Sequence, residues 1–172
     1  MTVLPESFTT DIECPITSAD YYMPVGHGGF QFVAALMAYV RPWGPQFPVP
    51  FARKAYLRAA STLAHMAIVR GETFEFLRLG VQMSQADVAA LLHVTLTDVQ
   101  DWESGATPIG RDIWNTMAEY VCVRDSRGFS PDLAFNDDFR ARTIRVRPEA
   151  FFPPQPYVPP ACRPQPCPPF GR

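Results

Sequence analysis

Proline placement constrains this chain more than any other single feature. Of its 19 prolines, none falls between Phe51 and Thr107, while Pro42, Pro45, Pro48 and Pro50 crowd the residues just before that block. Ten lie between Pro148 and the end of the 172-residue sequence. Proline removes a backbone donor and clashes with the preceding helical turn. Helices therefore belong in the proline-free block, and extended or turning segments in its flanks.

Residues 1–50 read as an irregular N-terminal arm with one short helix. Pro5, Pro15 and Pro24 break its regularity. Val25-Gly-His-Gly-Gly lacks the Lys-Ser/Thr ending of a phosphate loop and reads as a turn. Phe30 to Val40 is continuously apolar apart from Gln31 and stops at Arg41-Pro42, which predicts a short apolar helix. Phe51 to Val69 predicts an amphipathic helix. Tyr56, Leu57, Ala60, Leu63, Ala64, Ala67 and Ile68 recur at three- and four-residue steps, with Arg53, Lys54, Arg58 and Ser61 on the wet side. Neither helix buries its apolar face alone, so both pack on the next unit or on a second copy.

The following stretch can be read residue by residue. Ser84 is placed to cap a helix over Gln85 to Leu92, with Val88, Leu91 and Leu92 facing a core and Ala89 at a close crossing. His93-Val94 makes a tight turn and Thr95 caps a second helix, which buries Val99 and Trp102. Gly105 ends that helix, since glycine tolerates a left-handed C-terminus. A last helix follows Pro108-Ile-Gly, with Ile113, Trp114, Met117, Tyr120 and Val121 as apolar positions.

Across residues 71–123 this order resembles the phage-repressor (XRE, Cro-like) helix-turn-helix family. The resemblance rests on Met83-Ser-Gln, the central Ala89, the turn, the second helix and Trp102-Glu-Ser-Gly. It implies an all-α fold, a five-helix-type helix-turn-helix bundle at 51–123, to which the chain adds extra N-terminal helices and extended, Pro-rich arms. It also implies a structural pair between Arg78 and Glu103. For DNA, it places Leu96, Thr97 and Asp101 at base edges, Gln85 and Thr95 at phosphates, and Arg111 near the backbone. The implied function is a DNA-binding transcriptional regulator of phage or bacterial origin, with double-stranded DNA as partner.

Charge opposes that function. The net charge is −2, whereas a nucleic-acid binder usually has a basic surplus. From Leu79 to Gly110 there is no lysine or arginine, and there are four acids, Asp87, Asp98, Asp101 and Glu103. Phosphate neutralisation supplies most non-specific affinity, and this motif cannot supply it alone. Compensation would come from Arg111 and from a basic arm of Arg140, Arg142, Arg145 and Arg147. That arm belongs to a linker at 124–147 and is a short strand or an extended segment. Its arginines either contact phosphates, pair with acids such as Asp137 and Asp138, or lie on a solvated face.

Residues 148–172 form a Pro-rich tail carrying Phe151, Phe152, Tyr157 and Phe170, which is too poor in regular structure to build its own core. The acidic second helix and this tail motivate the alternative function, a non-enzymatic assembly protein such as a virion component. It would use the arms and tail for homo-oligomer or other protein contacts. No nucleophile–base pair, metal-ligand cluster or cofactor motif appears, so no enzyme, metal, cofactor or small-molecule substrate is expected. Cys14, Cys122, Cys162 and Cys167 contain no CxxC and read as free thiols, with Cys162 and Cys167 open to oxidative cross-linking. No run approaches the roughly 18 apolar residues of a membrane span. A cytoplasmic location is expected, or a virion for the assembly reading.

Overall fold

The computed structural model describes residues 16–26, 30–41, 44–136 and 143–146. The tail at 148–172, Arg140, Arg142 and Arg147 of the expected arm, and Cys14, Cys162 and Cys167 lie outside the described residues.

The all-α expectation is overturned. Among the described residues, five helices are joined by a four-stranded mixed sheet built largely from the segment expected to be an irregular arm. Strand β1 (Ile16–Val25) pairs antiparallel with β2 (Phe30–Arg41), with Val25 opposite Phe30 and Tyr21 opposite Ala34. Gly26 leaves β1 with φ +62°, a turn conformation that suits glycine. Strand β3 (Gly44–Gln46) pairs antiparallel with the far end of β2, and β4 (Thr143–Val146) pairs parallel with its beginning.

The segment expected as a short helix at 30–40 is thus the central strand, and the reason is physical. Phe30, Phe32, Ala34, Leu36 and Ala38 face the core, and Val33, Ala35, Met37 and Tyr39 on the opposite face are also buried or half-buried. A strand covered on both faces loses the polar–apolar alternation that would identify it. Its alanines, leucine and methionine are also good helix formers. β1 was hidden by Pro24, which is tolerated because this strand lies at the sheet edge.

Helix α1 (Val49–Met66) begins with Pro48 as its cap and Pro50 in its first turn, where backbone donors have no intrahelical acceptor. Its buried face is small, with Ala55, Ala59, Ala60 and Ala64 around Leu63. Helix α2 (Gly71–Gly80) crosses it closely. A Cβ at Gly80 would lie 2.4 Å from that of Ala60. Helices α3 (Gln85–Leu92), α4 (Leu96–Ser104) and α5 (Arg111–Arg124) complete the helical unit.

Sheet and helices share one core. Met23, Val25, Phe30, Phe32 and Leu36 are buried with Leu63, Phe74, Phe76, Leu77, Trp114, Met117 and Val121. Phe76 of α2 is the joint. Its ring stacks on Phe32 of β2 at 5.5 Å and on Tyr56 of α1 at 4.6 Å. After α5 the chain folds back along the helices. Asn136 N–H donates to the Ala67 carbonyl at 2.9 Å, and Asn115 donates to the Pro131 carbonyl.

Candidate functional site: the helix-turn-helix face

Local sequence sets both helix starts of the α3–α4 pair. The Ser84 hydroxyl accepts from Asp87 N–H, while the Asp87 carboxylate accepts from Ser84 N–H at 2.8 Å. Thr95 and Asp98 repeat this arrangement at α4, with Thr95 N–H donating to Asp98 at 2.9 Å. These are reciprocal capping boxes with aspartate in the third helical position. The pattern was readable as Ser84-x-x-Asp and Thr95-x-x-Asp. Ser84 and Thr95 are legible as caps from their type alone, whereas the aspartates three residues on act as partners in the boxes and not only as surface charges. Hydrogen bonds from the Ser84 side chain and backbone hold Asp87 below its ordinary pKa of 3.8, and those from Thr95 do the same for Asp98.

The turn keeps a left-handed residue where the resembled family often has glycine. Here His93 adopts φ 55°, and Val94 N–H closes the turn on the Ala89 carbonyl at 3.0 Å. Gly105, at φ 77°, ends α4.

Arg78 and Glu103 meet as a two-pronged pair. Arg78 Nε donates to Glu103 Oε1 at 2.6 Å and Nη2 donates to Oε2 at 3.0 Å. Nη1 donates to the Met83 carbonyl at 3.1 Å, so the guanidinium also closes the loop before α3. The two side chains are only 10% and 7% exposed. Planar forks of this kind combine charge with fixed geometry. Gly71 permits the approach. A Cβ there would lie 2.5 Å from the carbonyl oxygens of Trp102 and Glu103, so the start of α2 sits on the last turn of α4. Phe74 meets Trp102 edge-on at 5.9 Å beside the pair.

Gln85 joins this cluster. Its Nε2 donates to Glu103 Oε2 at 2.8 Å, and its Oε1 accepts from Gln100 at 3.5 Å. The amide that the resemblance assigned to a phosphate is held within the protein. Thr95 likewise spends its hydroxyl on Asp98, to which it donates at 2.6 Å. Leu96 is 45% exposed, and Thr97 and Gln100 are exposed as well, while Asp101 is half-buried.

The compensating arginines lie elsewhere. Arg111 donates to the Leu133 carbonyl at 3.2 Å, and its guanidinium stacks over Phe135 at 4.3 Å, which turns it toward the returning chain. Arg145 sits on β4 and pairs with Asp20 of β1 at 3.6 Å. That contact is of the acid-pairing kind, though with a different acid from those expected.

One other cluster was not anticipated. Cys122, buried on α5, lies 3.7 Å from Nδ1 of His65 on α1. That nitrogen is 2.7 Å from the Ser61 carbonyl, and Nε2 is 2.9 Å from the Gly128 carbonyl. Both ring nitrogens of His65 thus face backbone carbonyls, and Nδ1 lies closer to the Ser61 carbonyl than to the thiol. Burial pushes the Cys122 thiol up, away from the reactive thiolate. Next to it, Asp125 pairs with Arg58 at 3.1 Å and with Arg127 at 3.5 Å. Burial raises its carboxyl pKa, and Arg58 opposes that rise. The geometry ties α5 to α1. Among the described residues no group of three potential ligands is placed to hold a metal ion.

Glu103→Ala leaves Arg78 buried without its fork partner, and urea denaturation is expected to register a loss of about 3–5 kcal/mol, most of it recovered in Arg78→Met/Glu103→Leu. A loss under about 1 kcal/mol would mean the pair behaves as a surface contact. The depressed carboxyls of Asp87 and Asp98 add stability that is present above their ordinary value of 3.8 and is lost as the pH falls through the lowered values. Asp87→Asn/Asp98→Asn is therefore less stable than the parent at neutral pH, and thermal melts converge as the pH drops below 3.8. Comparison with family models, with curated proteins and with solved structures gives no match, so the likeness to the phage-repressor family rests on the residues named above.

Proposed function

We propose that this chain is a non-enzymatic protein-interaction module in which a helix-turn-helix unit presents its second helix to a partner protein. The observation that carries this reading is the charge of the α3–α4 face. Residues 79–110 contain no cation, and Asp87, Asp98 and Asp101 remain after Glu103 is neutralised by Arg78. Of the arginines expected to compensate, Arg111 is directed to Phe135 and Arg145 to Asp20. An acidic face that also exposes the apolar Leu96 suits a basic protein surface with a small apolar recess. It does not suit a phosphate backbone, where each neutralised charge drives binding.

A second reading keeps duplex DNA as the ligand. It is favoured by the hydroxyl of Thr97 and the amide of Gln100, both exposed on α4 and both able to bond base edges.

Fluorescence anisotropy of a labelled mixed-sequence duplex, from about 50 mM to about 200 mM salt, separates the two. The protein-contact reading predicts no saturable binding up to about 100 μM protein even at the lowest salt. Saturable binding that falls steeply with salt and weakens in Thr97→Ala would overturn it in favour of DNA.

A further inference from the structure

Helices α1 and α4 carry opposite charges. On α1, Arg53 and Lys54 are exposed, and the helix contains no acid. On α4 there is no cation, and Asp98 and Asp101 remain after Glu103 is neutralised by Arg78. The acids that border α1 are already engaged. Asp125, with a side chain 4% exposed, holds Arg58 at 3.1 Å and Arg127 at 3.5 Å, two cations to one carboxylate. Glu75, which acts on the Tyr56 hydroxyl, lies 3.7 Å from Arg78. Among the described residues neither Arg53 nor Lys54 lies in an ion pair, so the outer surface of α1 is positive.

Beside those cations lies an apolar recess. A groove of about 630 Å³ is lined by Tyr21, Phe47, Val49, Tyr56 and Leu79, with Arg53 and Gln82 at its rim. The Tyr21 and Phe47 rings meet there at 4.9 Å. Val49 and Leu79 are 59% and 43% exposed, so apolar surface faces outward. Contiguous apolar surface of this kind marks contact sites.

The partner that suits the α4 face is a basic protein surface with a small apolar recess, and α1 supplies one. Leu96, 45% exposed, is the apolar residue that α4 offers. Asp101 follows about 7.5 Å along the helix axis, a separation that the long Arg53 and Lys54 side chains can cover. Helix α2 lies between α1 and α4, which keeps the two surfaces apart within one copy. A second copy presents each to the other.

Given the protein-contact reading of the α4 face, on which this rests, we propose that the chain self-associates head to tail. The α4 face of one copy docks on the α1 surface of the next, with Leu96 in the groove and Asp98 and Asp101 beside Arg53 and Lys54. The contact joins two different patches, so it is heterologous and extends to a ring or a filament.

Sedimentation velocity of the full chain, with no DNA present, tests this. Between about 5 μM and about 200 μM protein at low salt the weight-average sedimentation coefficient is expected to rise, and about 0.5 M salt to reduce the rise. Leu96→Arg/Asp101→Arg on α4 and Arg53→Glu/Lys54→Glu on α1 each weaken association at least about ten-fold, because like charges then face each other. An equal mixture of the two variants restores it, since each meets opposite charge on the other, and this restoration also shows that both variants are folded. A parent chain that stays monomeric to about 200 μM overturns the second copy as partner, and leaves the choice between protein and DNA at the α4 face to the anisotropy measurement. Association that persists in either variant, as contacts elsewhere on the chain would give, or that the mixture fails to restore, overturns α4 on α1 as the contact.

Discussion

The stacking of Phe76 between Phe32 and Tyr56 is the contact on which the remaining architecture depends. It places α2 against the sheet and α1 together, and α2 in turn positions everything after it. Two residues beyond Phe76, Arg78 reaches toward α4 and holds Glu103. Gly80, at the end of the same helix, fits against Ala60 of α1. One ten-residue helix therefore faces the sheet, the long N-terminal helix and the helix-turn-helix pair. Truncating an aromatic ring in such a position typically costs about 3–5 kcal/mol, a large share of the stability of any domain.

Much of the helical unit was legible because its signals are local. Ser84, Thr95 and Gly105 mark helix ends through bonds to backbone within a few residues, and those bonds are present. The amphipathic period of α1 spans enough turns to fix its type. The Arg78–Glu103 pair was reached through resemblance, since 25 residues separate its partners and no periodicity connects them. The sheet was not legible. β2 is apolar on both faces, β1 contains a proline, and their pairing depends on contacts that neither segment announces. Gln85 illustrates a different limit. Its type suits a phosphate contact, yet the folded chain brings Glu103 and Gln100 close enough to occupy both ends of the amide.

The acids of the helix-turn-helix face carry two consequences. Asp87 and Asp98 satisfy backbone donors at the starts of α3 and α4, where a negative charge also opposes the positive end of the helix dipole. They remain charged, however, and they leave a negative field where a DNA-reading helix would meet phosphates. A face whose acids serve its own helix ends can be stable and still be unsuited to nucleic acid. That combination supports the proposed protein-contact reading through the same residues that carry the resemblance.

Sheet and helices bury one shared apolar core, so they are expected to open as one cooperative unit. Native-state hydrogen exchange tests it directly, since amides opening in one event share one free energy. The β2 amides of Phe32, Ala34 and Leu36 are expected to share the highest protection with the α5 amides of Met117 and Val121, and to lose it together as urea is added. If the β2 amides instead exchange through an opening more than about 2 kcal/mol cheaper than that of α5, the sheet is a separate unit and no shared cooperative core exists.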